Sequence, residues 1–231
     1  MKIYLSPSMQ DYNRYAAGNT TEMRQCSRIA ESAEVALRRN GFEVKRAPMG
    51  QSAEENVAES NAWGADFHIP IHTNAGGGRG CVVFISQLSG EKYNFARAIF
   101  NAIDAITLYR SVYGVRAQSF YETNAAKAPC IYVECEFHDN STLAQWIIDN
   151  THELGEAICR GICKAAGREY IPEDDNMVRW QKLEDIPQGY RAIAQRYIEK
   201  GALRGKTDGS LDITEDMLRV MEIMRRYFEE E

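Results

Sequence analysis

The stretch His68-Ile69-Pro70-Ile71-His72-Thr73-Asn74-Ala75, followed by Gly76-Gly77-Gly78, is an apolar run that ends in polar residues and a triple glycine. The apolar run predicts a buried strand, and the glycines predict a flexible loop behind it. His72 therefore falls at the carboxyl end of a buried strand, which is the edge where open α/β sheets bind ligands.

Apolar runs and helix-period patterns alternate on both sides of this stretch, along the first 167 residues. The predicted strands are 2–5, 42–46, 66–72, 80–86 and 129–135, and the predicted helices are 21–40, 52–63, 93–109 and 143–166. Strands that are separated by helices imply right-handed crossovers between parallel strands. The sequence therefore predicts an α/β domain over residues 1–167, with a mainly parallel sheet and helices on both faces.

The pattern changes after Gly167. Residues 168–178 are polar and include Pro172 and an acidic run, which is typical of a linker. Residues 179–231 carry two amphipathic patterns, at 188–200 and 214–228, and predict a small α-helical region. Because so short a region buries little apolar surface alone, we expect it to pack on a partner surface.

Composition argues against two classes of partner. The net charge of −6 disfavours nucleic acid, whose binding depends on clustered lysine and arginine. No apolar run reaches the roughly 18 residues that a membrane helix needs, and no apolar signal segment precedes the strand 2–5. We therefore expect cytoplasmic synthesis without membrane insertion. The six cysteines form no CxxC pair and predict reduced, structural thiols.

Two residues are candidates for a metal site. Glu22 opens the first long predicted helix, where it either binds a metal or stabilises the helix N-terminus. His72 ends its strand, where it is either a metal ligand or a core histidine with both nitrogens hydrogen-bonded. His68 shares its strand face but lies about 13 Å away along the strand. That distance is too large for one shared metal ion, so we interpret His68 as structural.

A third candidate is an acid at the end of the strand 129–135. Glu134 and Glu136 both follow an apolar run, and a buried acid needs a metal, a cation or a proton beside it. Burial also raises a carboxyl pKa towards the range of a general base. The pattern leaves open which of the two acts, and His138 and Asp139 are placed to orient either one.

The first 167 residues resemble the zinc-dependent N-acetylmuramoyl-L-alanine amidases of the Amidase_3 type, which are peptidoglycan hydrolases with a phosphorylase/hydrolase-like α/β fold. Ile71-His72-Thr73-Asn74-Ala75 matches the family's Ile-His-x-Asn-Ala segment with its zinc histidine, and Glu22 matches the acidic zinc ligand. Val133-Glu134-Cys135-Glu136-Phe137-His138-Asp139-Asn140 matches Val-Glu-x-Gly-Phe-x-x-Asn, whose first glutamate is catalytic. The resemblance thus favours Glu134 as the base and Asn74 as a wall of the substrate groove.

The resemblance fails at the family's first zinc ligand. The family has a histidine in Asp-Pro-Gly-His-Gly-Gly after the first strand, whereas this chain has Ser6-Pro7-Ser8-Met9-Gln10-Asp11. Clostridial and bacillar phage-type amidases that begin with Ser-Pro-Ser and a nearby glutamine are similar here. Gln10 is the candidate third ligand, through its carbonyl oxygen; Asp11 and Asn13 are alternatives.

The resemblance implies a phage or prophage endolysin that uses zinc to hydrolyse the amide between N-acetylmuramic acid and L-alanine, and acts at the cell wall after release. The alternatives are a degenerate, zinc-free domain that binds peptidoglycan, and a related hydrolase that cleaves another amide. Residues 180–187 and 201–211 are faintly similar to one S-layer-homology repeat. The C-terminal region is therefore expected either to bind the wall or to form a homodimer.

Overall fold

The computed structural model describes residues 1–173, 179–203, 205 and 209–229. The chain divides into two compact units, Met1–Glu173 and Asp174–Glu231. Residues 168–173, which the sequence assigns to the linker, belong to the first unit, where Ile171 hydrogen-bonds to Asn40. The remainder of the predicted linker, 174–178, lies outside the described residues.

A six-stranded sheet with order β2-β1-β3-β6-β4-β5 forms the centre of the first unit. Its strands are β1 (Lys2–Pro7), β2 (Glu43–Arg46), β3 (Phe67–Asn74), β4 (Val82–Ile85), β5 (Gly114–Ala117) and β6 (Tyr132–Phe137). Strands β2, β1, β3 and β6 are mutually parallel, so their carboxyl ends share one edge. The predicted α/β class with a mainly parallel sheet is confirmed.

Six helices cover the sheet: α1 (Glu22–Arg39), α2 (Ala53–Trp63), α3 (Gly90–Asp104), α4 (Tyr121–Ala125), α5 (Ser141–Asp149) and α6 (Thr151–Ala165). The main core joins strand residues such as Ile3, Leu5 and Ile69 to α1, α3 and α6. On the opposite face, Tyr4 hydrogen-bonds to Glu59 of α2. The alternation of side chains along each strand therefore sends apolar residues to one helical layer and polar residues to the other.

Several local features differ from the sequence-based expectation. β4 runs antiparallel to β6, and both β5 and the short helix α4 were missed. β5 has four residues at the sheet edge, none of them fully buried, so it carries no apolar run that would indicate a strand. The predicted helix 143–166 is two helices, because Asn150 leaves helical geometry and its side chain binds the carbonyl of Trp146.

The described part of the second unit contains two helices, α7 (Gln188–Glu199) and α8 (Glu215–Glu229), as the sequence predicts. Its small core consists of Ile186, Ile193, Ala194, Ile213 and Leu218. Four residues of the 201–211 segment, Arg204 and 206–208, lie outside the described residues. All six cysteines are free and buried, as predicted. Among the described residues, no helix combines the length and apolar character that crossing a bilayer requires.

Candidate active site

The parallel strands and the first helix bring the predicted residues to one edge of the sheet. His72 of β3 and Glu134 of β6 are directly opposite each other in the parallel pair. Glu22 is the first residue of α1, and its backbone N–H donates to the carbonyl of Asn13. The loop between β1 and α1 thus folds over the N-terminus of the helix and carries Gln10 to the same place.

Glu22 and His72 form a buried pair, with Oε1 of Glu22 2.7 Å from Nδ1 of His72. Asn13 donates to the other oxygen of Glu22 at 2.7 Å. Burial opposes ionisation of this carboxyl, but hydrogen bonds from His72 and Asn13 and the charge of His72 hold the pKa of Glu22 below its usual value. Burial likewise opposes protonation of His72, whereas Glu22 and Glu134 raise the pKa of His72.

Gln10 is the third group at this point. Its Nε2 lies 3.5 Å from Nδ1 of His72, and its Oε1 accepts hydrogen bonds from Asn13 and Tyr12. The structure therefore brings together the three residues that the sequence predicts as metal ligands. Of the two alternatives, Asn13 donates to Glu22, and Asp11 accepts a hydrogen bond from Thr21.

Glu134 faces the pair without a hydrogen bond to it. Its Oε2 is buried and has no hydrogen-bond partner among the described residues. Burial raises the pKa of Glu134 to about 8, although the positive charge of His72 acts in the opposite direction. A carboxyl group with this pKa exchanges protons near neutral pH, which is the requirement for general acid–base catalysis.

Glu136, the competing acid, has a structural role. Its Oε1 accepts hydrogen bonds from the backbone N–H groups of Gly80 and Phe137, at 2.5 and 2.9 Å. The register shifts by one residue at this point: His72 is opposite Glu134, whereas Asn74 is opposite Phe137. This bulge breaks the alternation of side chains, and Glu136 does not share the environment of Glu134.

The predicted orienting role of His138 and Asp139 is wrong. Nδ1 of His138 lies 3.0 Å from Oγ1 of Thr73, and the ring stacks on Tyr15. Asp139 accepts hydrogen bonds from the backbone N–H groups of Gly76 and Gly77, both at 2.7 Å. Asp139 therefore holds the loop behind β3, and His138 contacts the end of β3 itself, so neither residue orients the acids.

The structure also locates His68 and Asn74, which the sequence analysis had named. His68 is fully buried, stacks on Tyr4 and lies 3.0 Å from Glu122, apart from the Glu22–His72 pair, which confirms its separation from His72. Asn74 ends β3, and its Oδ1 accepts from the N–H of Ala75. A substrate contact by Asn74 stays a prediction.

A pocket of about 280 Å³ opens beside His72. It is lined by Gln10 and Tyr12 from the first loop and by aromatic residues from α4 and β6. The sequence analysis did not identify Phe120, Tyr121 and Glu122 as residues of this pocket. No periodic signal marks these residues, since α4 has only five residues.

The described residues contain one group of three acidic or histidine side chains whose donor atoms lie within 4.8 Å of one another, namely His152, Glu156 and Glu173. It lies on α6 and the segment behind it. Both oxygens of the buried Glu156 are 2.7 Å from Nη2 of Arg39. The protein therefore already supplies a positive charge to this cluster.

Comparison with known proteins decides the family. The model of the Amidase_3 family, N-acetylmuramoyl-L-alanine amidase, matches residues 7–164. The chain belongs to this family. It is therefore an amidase of the N-acetylmuramoyl-L-alanine type, as its motifs predicted. The amidase is 23% identical, over 177 residues, to the N-acetylmuramoyl-L-alanine amidase CwlM of Bacillus licheniformis, covering 74% of this chain and 69% of the relative.

Solved structures show the same fold. The amidase AmiC2 of Nostoc punctiforme superposes with a TM-score of 0.65 at 19% identity, covering 73% of this amidase and 98% of that chain. The amidase from Clostridium difficile 630 has the same TM-score and identity, with 72% and 96% covered. The catalytic domain of the CD27L endolysin has a TM-score of 0.59 at 20% identity, with 71% and 97% covered.

Proposed function

We propose that this amidase hydrolyses the amide between N-acetylmuramic acid and L-alanine in peptidoglycan, with a zinc ion held by Glu22, His72 and Gln10. The observation that carries the proposal is the convergence of these three side chains next to Glu134, a half-buried acid whose Oε2 is buried and whose pKa is raised. Family membership supplies the bond that is cleaved.

The donor set fits zinc. It consists of a carboxylate oxygen, an imidazole nitrogen and an amide, which presents its oxygen when its terminal group is turned over. Two bonds of about 2.0–2.1 Å at a tetrahedral angle place neighbouring donors roughly 3.3 Å apart. The 3.5 Å between Gln10 and His72 is close to this spacing, and the 2.7 Å between Glu22 and His72 is a direct hydrogen bond. A bound zinc ion would polarise the scissile carbonyl and lower the pKa of water.

Glu134 acts as the general base in this proposal. Its buried carboxylate takes a proton from the attacking water and passes it to the nitrogen of the leaving L-alanine. The Oε2 without a partner is free to accept that proton. Before a metal binds, Glu22 orients His72 through their hydrogen bond, and Asn13 holds Glu22 in place.

The test is cleavage of a soluble muramyl tripeptide, followed through the new amino terminus of L-alanine, together with the zinc content of the purified protein. We expect about one zinc per chain, loss of cleavage on chelation and recovery on adding zinc. Glu134→Gln should abolish cleavage while zinc stays bound, and Glu136→Gln should keep cleavage in the folded fraction. A metal-free protein that binds walls without cleaving them would favour the degenerate binding module.

The lysin role and the role of the second unit are part of the same proposal. α8 exposes Met217, Val220, Ile223 and Tyr227, an apolar face compatible with either wall binding or a homodimer. Sedimentation of the intact protein with and without purified walls separates these two outcomes. Lysis of whole cells by the protein added from outside, and its loss in Glu134→Gln, tests the lysin role.

A further inference from the structure

The pocket beside His72 contains a second group of polar atoms that the proposed hydrolysis does not use. Its lining combines polar and aromatic residues, namely Ser6, Asn56, Glu122, Phe120, Tyr121 and Tyr132. Ser6 lies on β1, Asn56 on α2 and Glu122 on α4. These elements form the polar face of the sheet, so the group is a built feature of the fold.

Glu122 is the charged member of the group, and it is 95% buried. Its Oε1 accepts a hydrogen bond from Oγ of Ser6 at 2.5 Å and lies 3.0 Å from Nε2 of His68. Asn56 donates in turn to Ser6 at 2.9 Å. All of these contacts reach one oxygen, and among the described residues no hydrogen bond reaches Oε2.

In the described part of the chain, the ionisable side chain within ion-pair distance of Glu122 is His68. Nδ1 of His68 is buried without a partner, so the tautomer with its hydrogen on Nε2 donates to Glu122 and leaves a bare acceptor at Nδ1. A second N–H on this ring would be buried unsatisfied. No lysine or arginine in the described part of the chain pairs with Glu122.

The oxygen atoms of this group that have no hydrogen-bond partner are acceptors. Oδ1 of Asn56 is buried without a donor, and no hydrogen bond from a described residue reaches Oε2 of Glu122. A ligand that suits them brings several donors and a positive charge. An ammonium group has three donors and no acceptor.

We infer that this subsite binds the primary ammonium group of the diamino acid in the peptide stem of the substrate, with Glu122 as its counter-ion. The inference rests on the proposed function, because it takes the stem peptide as the ligand. Glu122 and His72 line the same pocket, so a stem peptide bound at His72 can also contact Glu122. Glu122 would set specificity and would not take part in bond cleavage.

The test is equilibrium binding of the product tripeptide L-Ala-D-isoglutamine-L-Lys, measured by calorimetry on the full chain. We expect acetylation of the lysine amine to weaken binding about tenfold, since a charge-assisted hydrogen bond is lost. Glu122→Gln should weaken the unmodified peptide to the same level and leave the acetylated one unchanged. Glu54→Gln, an exposed acid on the same helix as Asn56, is the matched control and should keep the wild-type ratio.

A second tripeptide, with meso-diaminopimelate in place of lysine, tests which diamino acid supplies the ammonium group. The pocket lining contains no lysine or arginine to bind its additional carboxylate, so we expect the lysine peptide to bind more tightly. Tighter binding of the diaminopimelate peptide that is lost in Glu122→Gln assigns the same subsite to that stem.

Equal affinity of the wild-type protein for free and acetylated peptides overturns the inference, and this comparison does not depend on how any variant folds. Cleavage assays run in parallel separate this result from failure of the proposed function. A protein that distinguishes the two peptides but cleaves no muramyl tripeptide keeps the subsite and loses the hydrolytic role. In an active enzyme the loss in Glu122→Gln should appear mainly in KM.

Discussion

At the residue scale, zinc binding at the site depends on whether Gln10 acts as a ligand next to His72. The Nδ1 of His72 is held by Glu22 at 2.7 Å, and neighbouring acids raise the pKa of His72. A metal ion must therefore displace a proton from this nitrogen. With an amide as third ligand, we expect zinc to bind more weakly than at a site with two histidines.

The first prediction concerns Gln10→His, which restores an imidazole at the position that contacts His72. We expect zinc affinity to rise about tenfold or more, because imidazole is a stronger zinc ligand than an amide. Competition with a chromophoric chelator at constant pH measures the change. Met49→His is the control: Met49 is 57% exposed and does not line the pocket beside His72, so its variant should bind zinc as the wild type does. Equal gains in both variants would contradict the proposed ligand set.

The second prediction concerns the stability cost of Glu134. A glutamate in the unfolded chain has a pKa of about 4.3, whereas burial raises the pKa of Glu134 to about 8 in the folded protein. Between these values the unfolded chain is ionised and the folded one keeps its proton, so stability falls as pH rises. Glu134→Gln should therefore be more stable than wild type by roughly 1–3 kcal/mol at pH 8.5, and about equal at pH 4.5.

Urea unfolding of the metal-free proteins, with a chelator present, measures this difference at both pH values. Glu54→Gln serves again as the exposed control and should show no pH-dependent gain. A Glu134→Gln variant that is less stable than wild type at pH 8.5 would show that the carboxylate has a stabilising partner.

At the element scale, α6 packs closely against two other helices through glycines. A Cβ on Gly161 would lie 2.5 Å from Cα of Ile99 in α3, and one on Gly155 would lie 2.5 Å from N of Ala33 in α1. The helices approach each other at these points because no side chain intervenes. This contact fixes α1, whose first residue is Glu22, against the back of the sheet.

The third prediction follows from this packing. Exchange of glycine for alanine inside a helix usually stabilises it, by up to about 1 kcal/mol. Gly161→Ala should instead destabilise the first unit by roughly 1–3 kcal/mol, because the methyl group overlaps backbone atoms of α3. Gly189→Ala is the matched control, since nothing lies within 4 Å of its added Cβ in α7. Chemical unfolding of both variants tests the sign, and a neutral Gly161→Ala would contradict the close approach.

At the scale of the whole molecule, the first unit ends at Glu173, several residues beyond the last helix of the sheet domain. Arg168 donates to the carbonyl of Gly41 at 3.1 Å, and Asn40 and Ile171 exchange hydrogen bonds of 2.6 and 3.0 Å. Tyr170 donates to the buried Glu156. These contacts tie the segment after α6 to the end of α1.

The fourth prediction is that residues 1–173 fold alone and cleave the soluble tripeptide as the full chain does. A fragment of residues 1–167 should be less stable by roughly 2–4 kcal/mol, since it loses several hydrogen bonds and the packing of Tyr170. Urea unfolding and cleavage assays on both fragments measure this. Equal stability of the two fragments would show that the segment 168–173 contributes nothing.

Much of the first unit was predictable because its signals are local. The helix 21–40 and the strand 66–72 follow from periodicity, and both lie within two residues of α1 and β3. Family motifs identified Glu22, His72 and Glu134. β5 and α4 were missed, because elements of four and five residues are too short for a periodic signal.

The sequence by itself determined the α/β class, the parallel order of the first strands and the reduced cysteines, and it predicted the Glu22–His72–Glu134 group. These depend on residue type, period and order along the chain. Only the tertiary structure decided that Gln10 reaches His72, that Glu136 binds Gly80, and that Glu122 borders the pocket. The reason is physical: which way a side chain points depends on strand register, and its charge balance depends on partners that are distant in sequence.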